Sequence, residues 1–206
     1  MAILLSGYHA HAQTIPMNKG SYWEFKANVT YFEKGVTKHI TVNTKMLVTG
    51  YTKRNDGYEV AIISGSPENY LFYGTEDVNE VRALIKSPAG KYYMGSLKDA
   101  AAADIRSALE NDDPVFKEGV KNGQAVCEDN EKTCTARYHY ACIIRQQLIK
   151  VIDPVKMQTC YIMTYTSNPD DTGWTILPGA GFVHFSYHHH GTPSAVEAEL
   201  VEVHKG

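Results

Sequence analysis

The feature that most constrains this chain is strict residue alternation in short segments set between turn signals. Trp23, Phe25, Ala27, Val29 and Tyr31 are interleaved with Glu24, Lys26, Asn28 and Thr30. Successive strand side chains point to opposite faces, so this spacing gives one apolar and one wetted face. A helix would scatter the same residues around its circumference. Glu33-Lys34-Gly35 turns the chain, and Val36, Ile40, Val42, Met46 and Val48 keep one parity in the next strand. Asn55-Asp56-Gly57 is a hairpin signal before a strand from Tyr58 to Ile63. Ser64-Gly65-Ser66-Pro67 is another turn, and Tyr70 to Tyr73 and Val78 to Ile85 read as short strands.

The second half repeats the pattern. A long strand from Thr135 to Val151 turns at Asp153-Pro154 into a strand from Met157 to Thr166. A loop is expected from Asn168 to Gly173, then strands from Phe182 to His190 and Val196 to His204 around a Gly191-Thr192-Pro193 turn. The prediction is a mainly β fold, an antiparallel meander curled into a sandwich or a full or half barrel. The 14 tyrosines fit such half-buried pleated surfaces. One helix is expected near 96–110, where Leu97, Ala101, Ile105 and Leu109 share a face, with Ser96 as N-cap.

Residues 13–206 read as a single β-rich domain. Residues 1–12 read as the remnant of a signal peptide, because Ile3-Leu4-Leu5 precedes the small-x-small triplet Ala10-His11-Ala12. No later stretch approaches the roughly 20 apolar residues of a membrane-spanning helix. The net charge of −3 argues against nucleic acid, which needs clustered Lys and Arg. A secreted, periplasmic or cell-surface location is the expectation.

Cys127, Cys134, Cys142 and Cys160 form an even set, with no pair at the short spacing of a zinc site. In an exported chain this favours disulfides. The expected pairs are Cys127 with Cys134, closing a polar loop, and Cys142 with Cys160, tying two antiparallel strands.

The C-terminal histidines are the sharpest chemical feature. On a strand, His184, His188 and His190 share one face, with Ser186 between them. Alternate residues on such a face lie roughly 6.5–7 Å apart. Two imidazoles of this set could take Zn²⁺ or Cu²⁺ with a third ligand from His139 or a carboxylate. No catalytic signature accompanies them. Ser64-Gly65-Ser66 and Gly95-Ser96 are not nucleophile elbows, and Asp112-Asp113 and Asp170-Asp171 are adjacent pairs without acid/base spacing. No catalytic residue and no cofactor is expected.

Pro16-Met17-Asn18-Lys19-Gly20-Ser21-Tyr22-Trp23-Glu24-Phe25 has the form P-x3-G-x2-W-x-F, and Pro178-Gly179-Ala180-Gly181-Phe182-Val183 has the form P-G-x-G-x-V. Together they resemble the two ends of exported bacterial β-rich domains of unassigned function, often lipoproteins. The chain departs from that pattern at Ile15, where an aromatic is usual. The resemblance implies compartment and β class and carries no activity.

The functional expectation is a noncatalytic binding module of the envelope or extracellular space. Its partner would be a small apolar ligand inside the curled sheet, or an envelope protein. The alternatives are an assembly protein pairing through β edges and a metal-dependent enzyme using the histidines. Trp23 is expected to be buried and structural.

Overall fold

The structure, a computed structural model, describes residues 14–71, 81–96, 113–127 and 134–206. Twelve strands follow in chain order: β1 (Tyr22–Glu33), β2 (Val36–Lys53), β3 (Glu59–Ser64), β4 (Val81–Lys86), β5 (Lys91–Ser96), β6 (Pro114–Lys117), β7 (Ala125–Val126), β8 (Tyr140–Leu148), β9 (Met157–Thr166), β10 (Asp170–Leu177), β11 (Gly181–His189) and β12 (Ser194–His204). All belong to one sheet in the order β6-β5-β4-β3-β2-β1-β12-β11-β10-β9-β8-β7. Each pair is antiparallel, and the last strand returns to pair with the first, Trp23 opposite Val203. Among the described residues only β6 and β7 lack a ladder between them, and there residues 118–124 carry the chain across. The sheet is a nearly closed barrel in which sequence order and spatial order coincide.

Local chemistry explains the turns. β1 and β2 meet at Lys34-Gly35, both at positive φ (51° and 81°), between the paired residues Glu33 and Val36. Positive φ at both central residues matches the right-handed twist of the flanking strands. Gly57, at φ 86°, completes the next hairpin, where Arg54 and Tyr58 are joined by a 2.8 Å backbone bond. Register shifts interrupt the ladders at Glu24/Phe25, Val48/Gly50 and Thr175/Ile176. Such bulges bend a strand and let a sheet curl.

Inward residues meet across the barrel. Phe25 of β1 lies edge-on to Trp174 of β10, with centroids 6.4 Å apart, and Phe116 of β6 meets Tyr161 of β9 at 5.6 Å. Trp23 is fully buried, edge-on to Phe182, with its indole N–H donating to the Ala180 carbonyl at 2.6 Å. A short 3₁₀ turn, Pro67–Tyr70, is capped by the Ser66 hydroxyl. Its Glu68 accepts from the Trp174 indole at 3.0 Å and pairs with Arg82, which ties the β3–β4 connection to the far wall.

The outward face of β1 carries Lys26 and Asn28, and the facing β2 carries Thr41, Asn43 and Lys45. A transmembrane barrel has the reverse arrangement, apolar outside and polar within. Among the described residues no helix is long and apolar enough to cross a membrane.

The mainly β expectation holds, with differences in detail. Tyr70 belongs to the 3₁₀ turn rather than to a strand, because Ser66 and Pro67 are strong turn starters; residues 72 and 73 lie outside the described residues. The strand expected from Val78 is described from Val81 as β4. Of the helix expected near 96–110, residues 97–110 lie outside the described residues, and Ser96 closes β5. The proposed signal remnant also lies outside them. The loop from Asn168 is shorter than expected, since β10 already begins at Asp170.

The cysteines depart from the expected pattern in one respect. Cys127 and Cys134 are bonded, their Cα atoms 5.8 Å apart. Cys142 and Cys160 are buried free thiols, not the second disulfide. Strand register gives the reason. Cys142 faces Met163 and Arg145 faces Cys160, so the two cysteines sit three registers apart. An odd offset puts them on opposite faces of the sheet. Cys142 joins the interior cluster with Met163 and Trp174, whereas Cys160 joins an outer cluster with Leu177 and Val183.

Candidate functional site

The outer face of β10, β11 and β12 collects the polar residues that the sequence singled out. On β11, His184 and His188 point outward, with Ser186 between them and opposite Glu197 of β12. Both imidazoles lean toward that carboxylate. The Nε2 atom of His184 lies 3.1 Å from Glu197 Oε2, and that of His188 lies 3.3 Å from Oε1. The two histidines are four residues apart on a strand, so their Cα atoms stand about 13 Å apart. Glu197 spans that gap.

The structure does not bring the three expected metal ligands to one point. His190 is at the strand end, its Nε2 2.8 Å from Asp171 Oδ2. His139 is elsewhere, 3.9 Å from an Asp113 oxygen before β6. Among the described residues no three His, Cys, Asp or Glu groups are placed to hold a metal. His189, on the other face of β11, shares Asp170 with the Tyr187 hydroxyl at 2.7 and 2.8 Å, which orders that end of the barrel.

Next to His184 the surface opens into a pocket of about 430 Å³. It exists because the β8–β9 connection folds back over the outside of the sheet. Ile149 and Ile152 of that connection pack on Cys160, Leu177, Ala180 and Val183. A turn holds it, with the Ile152 and Asp153 amides both donating to the Ile149 carbonyl at 2.9 and 3.0 Å. The pocket lies between this strap and the strands. Leu148, Val151, Val183 and Leu200 supply apolar walls, while Lys150, Thr175, His184 and Glu199 supply polar groups. Thr175 is buried.

This arrangement suits binding. The volume is in the range of small-ligand sites, which combine apolar walls with a few convergent polar groups. Among the polar groups are an ammonium and an imidazole that can receive an anionic group, a hydroxyl, and the Glu199 carboxylate, which can accept from a donor, while the aliphatic walls can cover an apolar tail. His184 already leans on Glu197.

Sequence reasoning placed the ligand inside the curled sheet. The interior is instead occupied by Trp23, Phe25, Tyr92, Phe116, Trp174 and Phe185. It also missed Lys150, Thr175, Glu199 and Leu200. The apolar Leu148-Ile149 and Val151-Ile152 pairs flanking Lys150 were the available signal, because they extend apolar character past the end of a strand.

No protein-family model matches the chain, and no curated protein matches it by sequence. Solved structures similar to it include two bacterial proteins. One is a "putative lipoprotein" from Parabacteroides distasonis ATCC 8503, 12% identical over 94% of this chain and 99% of that one, with a TM-score of 0.43. The other is a "putative exported protein with YmcC-like fold" from Bacteroides fragilis NCTC 9343, also 12% identical, over 94% of this chain and 100% of that one, with a TM-score of 0.46.

Proposed function

We propose that this chain is an exported, noncatalytic binding module that holds a small amphipathic molecule in the pocket beneath the β8–β9 connection. The observation that carries the reading is that pocket, about 430 Å³ in volume, in which Lys150 and His184 stand beside Leu148, Val151, Val183 and Leu200. The disulfide between Cys127 and Cys134 supports an oxidising compartment, where such bonds persist. The assembly alternative finds poor footing, because the sheet ends in strands of four and two residues. Short edge strands offer few open hydrogen bonds to a partner.

The test uses anilinonaphthalene sulfonate, an anionic head on an apolar body. Its fluorescence should rise on adding the folded protein, and octanoate should displace it. Val183→Phe, which fills the pocket from its floor, should abolish the signal while the circular dichroism stays native. A signal that survives in Val183→Phe, or none with the wild type, rejects this pocket as the site.

A further inference from the structure

We propose that the tip of the β8–β9 connection is a docking surface for an anionic lipid bilayer. Four apolar side chains of this one connection face water. Leu148 and Met157, directly opposite each other at its base, are 40% and 52% exposed, Val151 is 41% exposed and Val155 is 89% exposed. Isolated exposed apolar residues are ordinary on a protein surface, whereas several in one place mark an interaction site.

The tip is built rather than loose. Ile149 and Ile152 anchor it to the barrel wall. At its far end the Asp153 carboxylate accepts from the backbone amides of Val155 and Lys156 at 3.1 and 3.2 Å. That turn fixes Val155 in its outward position. The folded state therefore holds a valine in water by a specific hydrogen-bonded device.

Charge selects the occupant. The stretch from Arg145 to Lys156 carries Arg145, Lys150 and Lys156 against the single carboxylate of Asp153, while the whole chain has a net charge of −3. The local sign is thus opposite to that of the molecule. Lysines beside an exposed apolar tip are attracted to anionic headgroups while the apolar groups enter the acyl boundary. A second copy fits less well. A two-fold contact sets the same patch against itself, so two patches of the same positive sign would be brought together. The tip also lacks the aromatic anchors that dominate protein interfaces.

This surface shares Leu148, Lys150 and Val151 with the pocket lining, whereas Val155, Lys156 and Met157 lie outside it, so the variants that test it are made there. The experiment sediments the full chain with vesicles of phosphatidylcholine alone and with vesicles that also contain phosphatidylglycerol. The expected result is pelleting with the anionic vesicles that declines as salt is raised. Lys156→Gln should weaken it roughly fivefold, the worth of one lysine near such a surface. Val155→Asp should remove it while thermal unfolding and the anilinonaphthalene sulfonate signal stay as in the wild type. Equal pelleting with both vesicle types, or undiminished pelleting of Val155→Asp, overturns the proposal. So does a dimer in light scattering that dissociates in Val155→Asp, which assigns the tip to a second copy. Loss of the dye signal in the wild type would instead strike the pocket reading and leave this one standing.

Discussion

Trp23 is where the two sequence motifs at the ends of the chain meet. Its indole N–H bonds the Ala180 carbonyl, and its ring lies against Gly181 so closely that a Cβ there would stand 2.8 Å from ring atoms. The tryptophan of the first motif and the second glycine of the last therefore form one contact between residues more than 150 positions apart. Alternation alone predicted the burial of Trp23, because the aromatic face of β1 had to be the core face. Nothing local could show why Gly181 is a glycine, since the reason is a ring delivered by another strand. Gly179 offers the control. It has nearly the same positive φ, 81° against 86°, with nothing within 4 Å of its missing Cβ. Gly179→Ala should cost about 1–2 kcal/mol, the penalty of the left-handed backbone. Gly181→Ala must add a ring displacement and should cost more in urea unfolding, approaching the roughly 3–5 kcal/mol of Trp23→Ala. Equal midpoints for the two glycine variants would show that Trp23 yields freely and does not fix this corner.

At the scale of elements, legibility follows the number of wet faces. β1, β2 and β12 have one face in water along much of their length, so their alternation shows in the sequence. β5 and β10 do not. In β5, Tyr92 faces the interior while Tyr93 joins Val60, Ala83 and Ile85 on the other side. In β10, every residue from Gly173 to Leu177 is buried. A strand covered on both faces reads as a continuous run with no period. The strap over the outer wall was hidden for a different reason, since a strand that ends and folds back leaves no periodic trace. The same two-faced geometry decides the cysteines. Burial pushes the Cys142 thiol up to about 11, and burial also raises that of Cys160. The thiolate is the nucleophile, so both should resist iodoacetamide at neutral pH in the native protein. Mass spectrometry should find two alkylated cysteines after denaturation without reductant, at positions 142 and 160, with the Cys127–Cys134 peptide intact. Rapid native labelling of Cys142 would mean that β8 opens readily, and a linked Cys142–Cys160 peptide would require a different register.

The whole molecule depends on one long-range closure. Strands β1 to β6 and β7 to β12 are each joined to their neighbours by chain connections, but β1 and β12 come together from opposite ends of the sequence. Their inward residues at the centre are small, with Ala27 directly opposite Ala198 and both fully buried. Such non-local pairing is gained only after a large loop-closure cost, so it forms slowly and every strand benefits once it is made. The interior is shared in the same way, since Trp174 contacts Phe25 across the barrel as well as Phe182 and Phe185 on its own side. Damage at the closure should therefore spread through the fold. Ala198→Asp would place a carboxylate without a partner in this core, at a cost of several kcal/mol, against a total stability of about 5–15 kcal/mol for a typical domain. Trp23 and Trp174 are the only tryptophans and stand on strands of the two arms, so each reports the unfolding of the strand that carries it and of the wall that strand packs against. With Trp174→Phe and Trp23→Phe backgrounds as separate reporters, Ala198→Asp should shift both fluorescence transitions to lower urea by the same amount. If the Trp174 transition stayed in place while that of Trp23 moved, the second arm would be folding on its own, and the closure would be a late addition to an already stable half.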